Sequence, residues 1–349
     1  MILINDNLQS LLDVYANNGF NPTDEQHLAE LSNNSIVPIQ LNDGTLPNIP
    51  PFEKHPYLTQ LQPNPNITGL MIGTFPPISY LCDTLALEYL EFGEQTFTRP
   101  DIPYFHGNRG SLWNYSPLNY TDIIAQPRNL IPSLVDAALS NSGVVYTDII
   151  RFCQRELSDE DGNWKYTSND TCLNNIVINE SVFHYLFQNN SINRIYFTNS
   201  SFFSTSEKLF DRHGNYLLTK RDAFQLFLKG AHDYGITIDF GLPDNHNGWI
   251  NINEAYRLPI LRRSINNTLL KKVYIKLRLQ KNGVVKIFDA VSCISPAAVN
   301  RGMSRRNACV QNYSALNNAP IETSPELLLK CVLENFFENS LHQIIQYNS

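Results

Sequence analysis

The feature that most constrains the fold lies in residues 67–118, where an apolar run, Leu70-Met71-Ile72, stops at Gly73-Thr74-Phe75-Pro76-Pro77. The run reads as the end of a buried strand, the Gly/Pro segment as a sharp exit from it, and Ser111-Leu112-Trp113 as the start of a helix. Strands that end in such loops are where open α/β sheets carry their chemistry. The plainer reading, that Gly73 only makes a turn and that Phe75 and Trp113 are core, stays open at this point.

The pattern recurs downstream. Residues 132–140 read as a short helix, 143–148 as a second buried strand ending at Asp148, and 194–198 as a third ending at Asn199, with Asp170 a candidate cap for a helix running through Leu186. Residues 273–279 alternate and meet 284–291 across Lys281-Asn282-Gly283, and Asn-Gly is a strong hairpin signal. Strands separated by helices predict a parallel sheet with helices on both faces. The expected fold is therefore α/β, a three-layer sandwich around a central, mostly parallel four-stranded sheet, with inserted and terminal extensions.

Residues 1–66 read as an N-terminal extension. Asp6 and Thr23-x-x-Gln26 are possible helix starts, and Pro47, Pro50, Pro51, Pro56, Pro63 and Pro65 keep the chain extended up to the first motif, with no chemistry evident. Residues 67–318 form the expected α/β domain, with an insertion at about 200–270. Residues 319–349 supply a C-terminal helix with Leu327, Leu328, Val332 and Phe336 on one side, packed against the rim. A chain of 349 residues that is 42% hydrophobic can bury a sizeable core.

Met1-Ile2-Leu3-Ile4 is too short for a signal peptide, and no apolar run approaches the roughly 20 residues of a membrane span, so a soluble, cytoplasmic protein is expected. The six cysteines show no CxxC pairing, which argues against a zinc ribbon or a disulfide framework. A formal charge of −7 is unfavourable for phosphate binding as a whole. Bases nevertheless cluster at Lys220-Arg221, Arg262-Arg263, Lys271-Lys272 and Arg301 with Arg305-Arg306. Any one pair reads as an ordinary solvated face, but the last adjoins a motif.

That motif is Cys293-Ile294-Ser295-Pro296-Ala297-Ala298-Val299-Asn300-Arg301. Together with Gly73-Thr74-Phe75-Pro76 and the segment from Tyr104 to Trp113, it resembles the uracil-DNA glycosylase superfamily, particularly the branches acting on mismatched uracil and on hypoxanthine. The resemblance covers discontinuous segments between about Ile67 and Arg306. It implies a monofunctional DNA glycosylase, acting as a monomer on double-stranded DNA with an extruded base, and needing no cofactor or metal. Such an enzyme holds the flipped base against an aromatic ring, reads its polar edge and guides water to the sugar carbon. Charge develops on both the sugar and the leaving base, and both need stabilising.

The chain departs from the family pattern at three places. Where relatives often carry Asp or Asn before the loop proline to position water, this chain has Phe75. The resemblance to hypoxanthine-type relatives moves that role to Asn108, with His106 as substitute, and puts Phe105 or Phe75 under the base. The reading that Asn108 only caps a turn stays open beside it. Asp148 stands where uracil-specific relatives have a base-reading Asn; a carboxylate accepts and does not donate, so it suits an exocyclic amino group. Asp148 is also a candidate for guiding water, or for organising loops through Arg151 or Arg155. Asn199 joins the base-binding set. Cys293 replaces a frequent His and reads as small filler.

Ser295 and Pro296 would enter the duplex, while Asn300, Arg301 and Arg305 would donate to phosphates. The expected substrate is a bulky modified cytosine, such as the glucosylated hydroxymethylcytosine of phage DNA, which would make the activity antiphage defence. The alternatives are repair of uracil or hypoxanthine, a catalytically lapsed nucleic-acid-binding module, and a nucleoside or nucleotide N-glycosidase.

Overall fold

A computed structural model of the chain describes residues 2–3, 36–37, 52–58, 61–84, 88–92, 95–100, 105, 112–155, 157–160, 163–166, 173–198, 202, 222–241, 248–251, 273–294 and 303–347. In chain order its strands are β1 (Ile2–Leu3), β2 (Ile36–Val37), β3 (Phe52–Lys54), β4 (Gly69–Gly73), β5 (Tyr89–Phe92), β6 (Gln95–Thr98), β7 (Val144–Asp148), β8 (Ile150–Arg155), β9 (Leu157–Glu160), β10 (Asn163–Tyr166), β11 (Leu173–Ile178), β12 (Arg194–Phe197), β13 (Thr237–Gly241), β14 (Trp249–Asn251), β15 (Tyr274–Lys281) and β16 (Val284–Ser292). The α-helices are α1 (Ser79–Thr84), α2 (Tyr120–Ile124), α3 (Ile131–Asn141), α4 (Ser181–Gln188), α5 (Ala223–Asp233), α6 (Ala308–Asn317) and α7 (Ser324–Phe337).

A seven-stranded sheet of order β14-β13-β15-β16-β12-β4-β7 organises the molecule. Its block β16-β12-β4-β7 is parallel throughout, and β15, β13 and β14 extend it in antiparallel fashion. Alternation divides the core between the two faces. Leu70 and Ile72 of β4 with Ile195 and Phe197 of β12 pack on α4 and α5, while Met71 and Tyr196 pack on α3 and α7. β4 is buried at every position, as a central parallel strand covered on both faces must be.

The helices that cover the two faces, α3, α4, α5 and α7, form because each offers an apolar stripe to that sheet. In α3, Pro132 sits in the first turn and Ile131, Val135 and Leu139 recur every fourth residue. The Asp222 side chain caps α5 by accepting from the Gln225 N–H at 2.9 Å. Along α7, Leu328, Leu329, Val332, Leu333 and Phe336 are all fully buried, each worth about 1.5–3 kcal/mol relative to exposure.

Several expectations need correction. The main sheet has seven strands, and its neighbour pairs are divided between parallel and antiparallel, because β15 carries a further edge that β13 covers. The helix expected from Ser111 is a single 3-10 turn, Leu112–Tyr115. The helix ending near Leu186 starts only at Ser181; before it, β-branched Ile176, Val177 and Ile178 form the end of β11. Helix α7 lies across a sheet face, not the rim, and Leu327 points outward. The hairpin forms at the expected place, with Asn282 (φ 49°) and Gly283 (φ 79°) in the left-handed conformations that this turn requires. Asp170 and the helix starts at Asp6 and Thr23 lie outside the described residues. None of the helices among the described residues is long and apolar enough to cross a membrane.

A second, five-stranded sheet of order β1-β11-β8-β3-β2 grows from the carboxyl end of β7. Here the segment read as an extension enters the structure, since β3 pairs with β8.

Candidate active site

The four parallel strands bring their carboxyl ends to one edge, and each end leads into a segment singled out in the sequence. β4 leads to Thr74-Phe75-Pro76-Pro77, β7 ends on Asp148, β12 leads to Asn199, and β16 leads through Cys293 and Ile294 to Ser295. With adjacent strands about 4.8 Å apart, β7 and β16 stand roughly 14 Å from each other across the sheet.

Asp148 is 1% exposed, and among the described residues two side chains meet its carboxylate. His55 Nε2 lies 2.7 Å from Oδ2, and the Tyr146 hydroxyl donates to Oδ1 at 3.1 Å. The Tyr57 backbone N–H donates to His55 Nδ1 at 3.1 Å. Because Nδ1 accepts, the ring proton belongs on Nε2, where it donates to Asp148. The backbone of the same residue is fixed as well, since Asn179 Nδ2 donates to the Asp148 carbonyl at 3.0 Å.

Aromatic rings surround this polar pair. The His55 ring meets Phe75 edge-on with centroids 5.4 Å apart, and Phe105 at 5.0 Å. Phe105 also lies 4.7 Å from Tyr146, which packs edge-on against Trp113 at 5.4 Å. Trp113 Nε1 donates to the Phe105 carbonyl. Phe105 thus touches both residues that hold Asp148.

A second buried pair stands beside the first. Arg155 donates from Nε to Glu53 Oε1 at 3.1 Å and from Nη2 to Glu53 Oε2 at 3.0 Å, and Nη2 also reaches the Pro76 carbonyl at 3.0 Å. Both side chains are at most 1% exposed. This fork ties β3 and β8 to the loop after β4. His55 is anchored to the same sheet by its N–H, which donates to the Arg151 carbonyl at 2.9 Å.

The structure therefore brings together Phe75, Phe105 and Asp148 of the residues expected from the sequence. Arg305 is exposed on the 3-10 turn Met303–Arg306, which leads into α6. His106, Asn108, Asn199, Ser295, Pro296, Asn300 and Arg301 lie outside the described residues. The suggested partners of Asp148 are otherwise engaged: Arg155 forks onto Glu53, and the exposed Arg151 lies over Phe152 at 5.2 Å. Cys293 is buried, and burial pushes its thiol well above the ordinary range, which fits filler and not a nucleophile.

Sequence reasoning missed His55, Glu53 and Tyr146. Tyr146 carried a usable signal, because it stands two residues before Asp148 on the same face of a strand. Glu53 and His55 carried none beyond a short Phe52-Glu53-Lys54 run amid prolines. Among the described residues, no group of three or more His, Cys, Asp or Glu side chains is arranged to hold a metal ion. No family model, curated protein or solved structure matches the chain.

Proposed function

We propose that the chain is a monofunctional DNA glycosylase that hydrolyses the N-glycosidic bond of a flipped base at the carboxyl edge of the parallel strands. The parallel block with helices over both faces is read as a three-layer sandwich core to which the other strands are added. The observation that carries the proposal is the convergence of four motif-bearing strand ends on one edge, with a buried carboxylate fixed at one of them. Open parallel sheets bind ligands at that edge.

In this reading Asn108 positions water for attack on the sugar carbon, and Asp148 accepts from the base edge or from that water. Phe105 supports this assignment, because it lies only three residues before Asn108 and packs against both His55 and Tyr146, which meet Asp148. Asn300, Arg301 and Arg305 would clamp phosphates across the sheet.

The proposed substrate class is a cytosine-type base with an amino edge, including bulky modified cytosines of phage DNA. Asp148 and the small Ala297 and Ala298 support it. Within residues 200–270, β13 does not, since it stands five strands from β7, roughly 24 Å away at ordinary spacing. The deep burial of Asp148 favours one second reading, a lapsed binding module in which the pair is structural.

The test is incubation with plain, uracil-containing, hypoxanthine-containing and glucosylated-hydroxymethylcytosine DNA, followed by mass spectrometry of released bases and counting of abasic sites. Release of one base class is expected. Binding without release from any DNA would establish the lapsed module, and neither binding nor release would overturn both.

A further inference from the structure

We infer that His55, contributed by the N-terminal segment, is a positioning residue that sets the carboxylate of Asp148 for base excision; this rests on the glycosylase reading and deepens it. The inference comes from one chain of hydrogen bonds. The Tyr57 N–H donates to His55 Nδ1 at 3.1 Å, which leaves the ring proton on Nε2, and Nε2 meets Asp148 Oδ2 at 2.7 Å. The ring cannot reverse this polarity without giving up the Tyr57 bond. His55 therefore acts as a fixed donor and not as a proton shuttle.

Three further contacts remove the ring's freedom. Its backbone N–H is bonded to the Arg151 carbonyl at 2.9 Å, and Phe75 and Phe105 pack on the ring. A donor held this way constrains the direction of the Asp148 lone pairs, as partners behind a working group commonly do. The Tyr146 hydroxyl donates to the opposite oxygen at 3.1 Å, so the two donors together fix the plane of the carboxylate. The segment before Ile67 thereby becomes part of the site. Its His comes from 93 residues away in sequence.

The geometry separates three substitutions. In His55→Gln the amide nitrogen reaches the place of Nε2 and can still donate to Asp148. In His55→Asn the shorter amide ends near the place of Nδ1 and cannot. His55→Leu keeps bulk and loses both. The turnover rate of base release by the full-length protein is expected to fall by roughly 10–100-fold in His55→Leu and His55→Asn, the scale on which outer-shell partners act. His55→Gln is expected to recover most of it, and KM for the DNA should stay within about twofold in all three because phosphate contacts dominate affinity. Tyr146→Phe, which removes the other donor without changing the fold of the backbone, should give a loss of the same kind.

Nitrogen NMR of the histidine rings supplies a readout independent of activity: His55 is expected as the Nε2–H form, with a ring resonance that moves in Asp148→Asn. Equal turnover in the Leu and Gln variants of a folded protein, or an Nδ1–H ring, would overturn the inference. If the wild-type protein releases no base while the Nε2–H ring is found, the glycosylase reading falls and takes the catalytic role of His55 with it, leaving the hydrogen-bond geometry confirmed. Release by the wild type with an indifferent His55 overturns only the inference.

Discussion

At the amino end of the parallel strands a buried charge is met by neutral groups, two of them helix-end carbonyls, whereas at the carboxyl end buried charges are met by ionisable side chains. Arg194, which opens β12 and is 1% exposed, donates from Nε to the Phe336 carbonyl at 2.6 Å, from Nη2 to the Phe337 carbonyl at 3.3 Å and from Nη1 to Thr68 Oγ1 at 2.5 Å. Its guanidinium also lies 5.3 Å from the Phe336 ring centroid. Burial pulls its pKa down to about 10, yet it stays charged at neutral pH. The carbonyls it meets end α7, where the helix dipole is negative. At the other end, Glu53 meets Arg155 and Asp148 meets His55, across sequence separations of 102 and 93 residues.

The difference is between fixed and exchangeable partners. Carbonyls at a helix end remain neutral acceptors whatever happens to the arginine. A carboxylate that loses its partner becomes an uncompensated buried charge. The carboxyl end is therefore the costlier of the two to maintain, and it is the end that carries the candidate site. Proteins commonly tolerate such local cost where function requires it.

The largest expected effect tests that cost directly. Arg155→Ala should destabilise the protein by about 3–5 kcal/mol, because Glu53 is left buried and unpaired. The measurement is the shift in urea midpoint at constant slope. The double replacement Glu53→Leu with Arg155→Met should recover most of the loss, since apolar groups often substitute for a buried pair. A single variant that loses less than about 1 kcal/mol would place the pair among solvated surface bridges and erase the contrast.

The next effect is on rate and not on stability. Asn108→Ala should lower base release by a factor on the order of 10² or more, as for loss of one preorganised polar group, while DNA binding stays nearly intact. Single-turnover base release at saturating protein measures it. Unchanged release would transfer water positioning to His106 or Asp148.

At the amino end, Arg194→Met should cost about 1–3 kcal/mol, the range for leaving buried acceptors without a donor. It removes no partner from an opposite charge, so its deficit should be smaller than that of Arg155→Ala. The pH dependence has a defined sign. A base whose folded pKa is lowered costs stability while it is charged, and that cost is relieved as pH rises past about 10. The stability gap between wild type and Arg194→Met should therefore widen above that pH, and a gap that narrows would contradict the assignment.

How far the sequence foretold these two ends follows from the range of the forces involved. The strands β4, β7, β12, β15 and β16 were legible because each is a short apolar run closed by turn residues, and the Asn282-Gly283 hairpin because its backbone conformation demands those residue types. Asp148 was legible as a polar residue ending such a run. His55, Glu53 and the carbonyls met by Arg194 were not, because their partners lie at least 93 residues away and no local periodicity encodes them. β13 escaped notice for a related reason, since its alternation of Ile238 and Phe240 acquires meaning only beside β15.

The smallest expected effect asks whether the carboxyl edge faces DNA at all. A net charge of −7 repels a polyanion at long range, so any affinity must come from local contacts within about a Debye length, close to 10 Å at 0.1 M salt. Arg301 follows the Ser-Pro segment, and Arg305 is exposed four residues later on the turn leading into α6. Removing one phosphate contact releases one fewer counterion. Arg301→Ala should therefore weaken binding to all DNA sequences alike and lower the slope of log K against log salt by about one unit, whereas Arg194→Met should leave that slope unchanged. Fluorescence anisotropy on plain duplexes at several salt concentrations measures both. A slope that responds to Arg301 and not to Arg194 ties DNA to the edge where Asp148 is held; a slope indifferent to Arg301 turns the late loop away from DNA and removes the reason for placing chemistry there.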